Sequence, residues 1–183
     1  MPPFPEPTFD YSYDPRVQIT ALRQWRRTKP GRRIPNRRSD RLLLATWNVA
    51  NLGGQKRTDA DHVLIAEIMR WFDLVAVQEA NDNLTGLRAV LAKLPGKYRA
   101  VFSDAAGNNE RMAFVYDATK LSVGEEIGEV APAPVAYRHI RLPGITQKFT
   151  GFDRNPYVAT FTADGFTVSL VNVHLYFGSD STR

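Results

Sequence analysis

Two apolar runs constrain this chain more than any other feature. Leu42-Leu-Leu-Ala-Thr-Trp-Asn48 ends on an amide, and 31 residues later Leu74-Val-Ala-Val-Gln-Glu79 ends on a carboxylate. One amphipathic segment lies between them. Strand, helix and strand at that spacing make a βαβ unit, which needs roughly 30 residues. Its two strands are parallel, so Asn48 and Glu79 emerge together at their carboxyl ends. Open α/β sheets hold their ligands at that edge.

The rest of the sequence extends this frame. Asp59 or Asp61 can cap a helix that runs to about Phe72. Its apolar positions Leu64, Ile65, Ile68, Trp71 and Phe72 repeat as one helical face. A second helix is expected over about 83–94, with Leu84, Leu87, Leu91 and Leu94 on one side and Pro95-Gly96 as its stop. Strands are expected at about 98–103, 111–116 and 121–130. Residues 131–148 hold three prolines and little pattern, and read as loop. Tyr157–Thr162 and Phe166–His174 form a hairpin across Ala163-Asp-Gly165. The fold class is α/β with a mixed sheet.

Charge divides the chain in two. Residues 1–41 carry ten Lys and Arg against four acids, a net +6, and residues 42–183 carry 14 against 15, a net −1. The first part is a basic, Pro- and Arg-rich leader and the second is the folded body. In the leader, Asp14-Pro15 reads as N-cap and first helical residue, with Val17, Ala21 and Trp25 on the side to be buried. Arg26–Arg38 is punctuated by Pro and Gly and reads as loop. Such a leader suits a phosphate-rich partner. It could grip a nucleic-acid backbone by counterion release, although one nearby aromatic and no repeat make a weak nucleic-acid signature. The leader serves equally as a solubilising arm lying along the body.

There are no cysteines, which excludes disulfides and thiolate metal sites. No apolar run approaches the ~18 residues of a membrane span. The opening Met1-Pro-Pro-Phe-Pro-Glu-Pro7 lacks the plan of a secretory signal, so a cytoplasmic protein is expected.

Five stretches place polar residues at the ends of apolar strands: Thr46-Trp-Asn48, Val77-Gln-Glu79, Asn109-Glu-Arg-Met-Ala-Phe-Val115, Phe152-Asp-Arg-Asn-Pro156 and Asn172-Val-His174. In this order and spacing they resemble the first half of the endonuclease/exonuclease/phosphatase superfamily, the DNase I-like four-layer sandwich. The resemblance covers about residues 41–176. It implies hydrolysis of phosphodiesters, most simply by a nuclease, with Mg²⁺ or else Mn²⁺ or Ca²⁺ as cofactor. Mg²⁺ takes oxygen ligands and keeps several waters, so one or two carboxylates suffice. By the same resemblance Glu79 is the metal ligand and Asn48 lies beside the metal and phosphate. His174 is the catalytic histidine, Glu110 orients it, and Arg154 grips a phosphate as a planar fork. Asn172, in phase with His174 along its strand, is expected to line the phosphate cleft. His62 and His139 are read as non-catalytic.

The superfamily's second half carries Asp-x-Asn and a terminal Asp-His, and neither follows His174; Asp180 before Ser181 is no substitute. The chain is therefore expected to supply about half of the sandwich, roughly one of its two sheets. These 183 residues alone are expected to be inactive, with an apolar sheet face left uncovered. Two alternatives stand beside the nuclease. One is a lipid or small-molecule phosphatase of the same superfamily. The other is a non-catalytic nucleic-acid-binding module that works through the leader.

Overall fold

The computed structural model of the chain describes residues 9–28, 33–141, 144, 146 and 148–175. Parts of the leader (1–8 and 29–32) and the Asp180-Ser181 pair lie outside them. The βαβ unit forms as its apolar runs require. Strand β1 (Leu44–Leu52) and strand β2 (Leu74–Asn81) are parallel, with Leu44 opposite Leu74 and Asn48 opposite Gln78. Helix α2 (Asp59–Met69) connects them, and helix α3 (Thr85–Lys93) follows β2. Strands β3 (Tyr98–Phe102) and β4 (Glu110–Asp117) are antiparallel, and the sheet order is β1-β2-β4-β3. The sheet is therefore mixed, as expected.

Helix α2 is capped by Thr58 rather than by Asp59 or Asp61. The Thr58 hydroxyl accepts from the Asp61 amide, and the Asp61 carboxylate accepts from the Thr58 amide. This reciprocal box satisfies two backbone donors that a helix start leaves open. The helix also buries more than the one apolar face read from its periodicity. Ile65, Ala66, Glu67 and Met69 are all buried, because α2 meets the sheet on one side, α3 on a second and the leader on a third.

A second, antiparallel sheet runs in the order β5-β6-β7, from Ser122–Glu129, Tyr157–Ala163 and Phe166–Asn172. Asp164 and Gly165, both at positive φ (44° and 78°), make the hairpin turn, the left-handed pair that a two-residue loop needs. The two sheets pack face to face. Leu74, Met112, Phe114 and Tyr116 of the first meet Tyr157, Ala159 and Phe161 of the second. Phe114 and Phe161 sit edge to face, 5.5 Å between centroids. A separate core (Val75, Val77, Ala113 and Val115 against Ile65, Met69, Leu87 and Val90) joins the first sheet to the helices.

The layers are thus helices, a four-stranded sheet and a three-stranded sheet. The chain supplies more than the single sheet expected. The outer face of the second sheet keeps apolar residues exposed, Val171 at 58%, and places hydroxyls among them. Thr160 pairs with Ser169 and Thr162 with Thr167 through their hydroxyls. Residues 134–139, expected as loop, form a 3-10 helix that opens on Pro134.

The leader folds onto the body. Helix α1 (Pro15–Thr28) begins at Pro15 and runs two residues past Arg26, where loop was expected. The side it turns inward is Ile19, Leu22 and Arg26, and Val17 and Trp25 face outward. Polar contacts decide this rotation. Arg23 grips the buried Glu67 with both Nε and Nη2 (2.8 and 2.9 Å), and the Arg26 guanidinium lies 5.1 Å over the Trp71 ring. Further on, Arg37 joins Asp73 and Asp117, two fully buried carboxylates at the starts of β2 and the end of β4. Lys120 and Lys97 complete that cluster, 3.1 Å from Asp73 and 2.7 Å from Asp117. Burial pushes the Asp117 carboxyl up, but hydrogen bonds from Arg37, Lys97 and Thr119 outweigh it and hold the group well below the usual carboxylate range.

Candidate active site

The parallel pairing carries Asn48 and Glu79 to one edge, and irregular backbone turns them toward each other. The β1–β2 register breaks between Asn48 and Leu52, and the β2–β4 register breaks between Val77 and Ala80. Such breaks re-aim side chains at strand ends. Ala50, Asn51 and Glu79 all take positive φ, 45°, 51° and 60°. For residues with a Cβ this costs of order 1–3 kcal/mol each and persists only where the surroundings enforce it. Here the Glu79 carboxylate enforces it. One oxygen accepts from the Asn48 amide at 2.8 Å and the other from the Asn51 backbone N–H at 2.9 Å.

Close backbone contact fixes the turn that follows Asn51. A Cβ on Gly86, in the first turn of α3, would come within 2.4 Å of the Gly53 nitrogen. Only glycine admits that approach. Gly53 itself is at φ +100°, a conformation that side chains resist.

The remaining members come from distant parts of the chain. Glu110 opens β4, Arg154 lies in the loop before β6, and His174 follows β7. The His174 ring lies between two carboxylates: Nδ1 is 3.0 Å from Glu110 Oε2 and Nε2 is 3.3 Å from Glu79 Oε1. Nε2 is also 3.4 Å from the Asn48 amide. Arg154 Nε donates to the same Glu110 oxygen at 2.9 Å, and its Nη1 is 3.3 Å from Asp153. Gly107, at φ +56°, lies under this arginine, where a Cβ would meet Arg154 Cγ at 3.0 Å and Asp153 at 2.7 Å.

Glu79, Glu110 and Arg154 are buried, and the His174 side chain is 10% exposed. Five of the six residues singled out from the sequence therefore form one continuous group.

Asn172 is the sixth, and its position corrects the expectation. It is buried between the sheets rather than in the cleft wall. Its amide donates to the Val77 and Ala113 carbonyls at 2.9 and 3.1 Å, and its oxygen accepts from Gln78. With both donor protons committed, it has none to offer a phosphate. It braces the two sheets directly beneath the site. Gln78 and Thr46, passed over as flanking residues, extend this brace, since Gln78 also donates to the Thr46 hydroxyl at 3.0 Å. His62 and His139 stand apart from the group.

Glu79, Glu110 and His174 each offer a donor atom within 4.8 Å of the others. Two carboxylates and one imidazole form a set led by hard oxygen donors, and the Asn48 amide turns its nitrogen, not its oxygen, toward them. The set suits Mg²⁺ or Mn²⁺.

No family model matches the sequence, and no curated protein matches it. Solved structures do resemble the chain. An endonuclease/exonuclease/phosphatase family protein from Bacteroides thetaiotaomicron is 20% identical, with a TM-score of 0.49 over 71% of this chain and 47% of its own. A mannosyl-6-phosphatase from the same organism is 18% identical, with a TM-score of 0.48 over 72% of this chain and 50% of its own. A humanized D. rerio TDP2 is 18% identical, with a TM-score of 0.45 over 71% and 45%. The chain spans about half the length of these proteins.

Proposed function

We propose that this chain provides one wall of the active site of a divalent-metal-dependent phosphodiester hydrolase acting on nucleic acid. The observation that carries this reading is the convergence of Glu79, Glu110, His174 and Arg154, from four separate segments, on a single buried group. Two buried carboxylates beside one arginine and one histidine leave little positive charge to spare. Such an arrangement favours an added cation.

Glu79 would hold the metal, its two oxygens fixed by Asn48 and the Asn51 amide. A bound divalent cation stabilises charge on the scissile phosphate and acidifies water. Glu110 accepts from His174 Nδ1 and so sets the ring's tautomer. Nε2 is then the atom that takes or returns a proton at the phosphate. Arg154, oriented by Glu110, brings positive charge to the phosphate oxygens. Asn172 and Gln78 hold the two sheets, and so these residues, in register. The basic leader favours a polyanionic substrate.

Mn²⁺ binding followed by electron paramagnetic resonance tests the metal assignment independently of turnover. Wild type binds one ion and Glu79→Gln loses it. In an enzyme that contains this chain, Mg²⁺-dependent nicking of plasmid DNA falls by about 10³-fold in Glu79→Gln and about 10²-fold in His174→Ala, the range for removing one preorganised group. Nicking that survives both substitutions refutes the site.

A further inference from the structure

A cavity of about 610 Å³ lies between α1, the segment 33–37 and the end of α2. Its volume is in the range of small-ligand sites, 300–1,000 Å³. It sits at the opposite end of the first sheet from Glu79. Arg37, in its wall, pairs with Asp73, and Asp73 and Glu79 are six residues apart along β2, roughly 20 Å of strand. The cavity is therefore distinct from the candidate active site.

Its walls are strongly cationic. Arg23, Arg26, Arg27, Arg33, Arg37 and Arg70 line it, and Glu67 is the one carboxylate among them. That carboxylate is already shared. Arg23 holds it with two bonds, Arg70 Nη1 is 3.5 Å away, and the Trp71 indole N–H donates to it at 2.9 Å. The Arg26 guanidinium is held by neutral oxygens instead, the Ile34 and Pro35 carbonyls (3.3 and 2.7 Å) and the Asn36 side chain (3.3 Å). Burial first, with the neighbouring charge of Arg27, pulls the Arg26 guanidinium below its ordinary value. Arg27 and Arg33 have no carboxylate partner among the described residues. Guanidinium groups gathered this way repel one another unless an anion sits among them.

The wall also says what kind of anion. Trp71 is its one aromatic residue, with its face covered by Arg26 and its N–H taken by Glu67. No ring is left to stack a nucleobase. Planar forks arranged around a cavity suit several linked phosphate groups better than one carboxylate.

We propose that this arginine-lined cavity binds the phosphate chain of a polyphosphate ligand, reading phosphates and not a base. Tripolyphosphate is the probe, titrated into the full chain by calorimetry in EDTA. Wild type binds, and its melting temperature rises with ligand. The double variant Arg27→Gln/Arg33→Gln removes two charges without breaking an ion pair among the described residues. It weakens binding at least tenfold with its unliganded melting temperature unchanged. Arg70→Gln, a second probe of the same wall, weakens binding several-fold. Glu79→Gln and Arg138→Gln bind as wild type does. ATP binds no more tightly than tripolyphosphate.

Each opposite result overturns the proposal. Absence of binding, or undiminished binding in the double variant and in Arg70→Gln, removes the site. ATP binding tenfold tighter than tripolyphosphate shows that a base is read. A 20-nucleotide single strand that binds through Arg27 and Arg33 while tripolyphosphate does not makes this a nucleic-acid surface.

Discussion

The two ends of the four-stranded sheet each bury a pair of carboxylates, and they treat them differently. At one end Asp73 and Asp117 share Arg37, and each has a lysine of its own, Lys120 and Lys97. The backbone there is regular. At the other end Glu79 and Glu110 share one histidine, and one arginine pairs with Glu110. Of the six non-glycine residues at positive φ, Ala50, Asn51, Glu79 and Asn109 lie at or beside that second pair. Burying a charge is costly unless it is matched, and a strained backbone must be held in place by its surroundings. The first end is matched and relaxed, as a structural staple is. The second has fewer cations against its carboxylates and a strained backbone.

Exchanging single groups between the two ends would break this contrast. The largest stability effect belongs to Arg37→Ala, which leaves Asp73 and Asp117 with one lysine each. It should cost about 3 kcal/mol or more in urea unfolding. Glu79→Gln should change stability by less than about 1 kcal/mol while losing Mn²⁺, because a glutamine oxygen still accepts from the backbone. Equal destabilisation by both would show that the ends do the same job.

Acid sharpens the comparison next. The Asp117 carboxyl is held below its ordinary value by Arg37, Lys97 and Thr119 despite its burial. Its stabilising contribution is therefore complete above the ordinary carboxylate range and is lost as pH falls through the depressed value. Glu67, buried but hydrogen-bonded by Arg23 and Trp71, shifts the same way. Thermal unfolding should show stability falling as pH drops from about 5 toward 2. The fall should be shallower in Arg37→Ala, which has already lost part of the contribution.

A change of opposite sign lies between the sheets. The Tyr157 hydroxyl is buried with no hydrogen-bond partner among the described residues, and burial followed by the charge of Glu129 raises it to about 12. Tyr157→Phe should stabilise the protein by about 1 kcal/mol, the lower range for relieving an unsatisfied group. A loss of stability on that change would point to a partner for the hydroxyl.

Much of the architecture was legible along the chain. The strand–helix–strand unit, the Asp-Gly hairpin and the order of the strands follow from local patterning. Apolar period, turn residues and caps act over a few positions. Five members of the candidate group were legible for the same reason, since polar side chains that end apolar strands stand out, whereas Asn172, chosen on the same signal, braces the sheets. Other features were not. The α1 face turned inward by Arg23 and Arg26, the Thr58 cap and the bracing role of Asn172 depend on what lies opposite each residue. So do the hydroxyl pairs on the second sheet.

By itself, then, the sequence determined the elements and the chemistry available at their ends, because hydrophobic period and backbone preference are properties of neighbours along the chain. Only the tertiary structure decided which charges meet. His174 reaches Glu110 across 64 residues, Arg154 reaches it across 44, and Arg37 reaches Asp117 across 80. Such contacts form when two sheets and a leader close over a shared core. That closure makes one pair of buried carboxylates a staple and leaves the other with fewer cations.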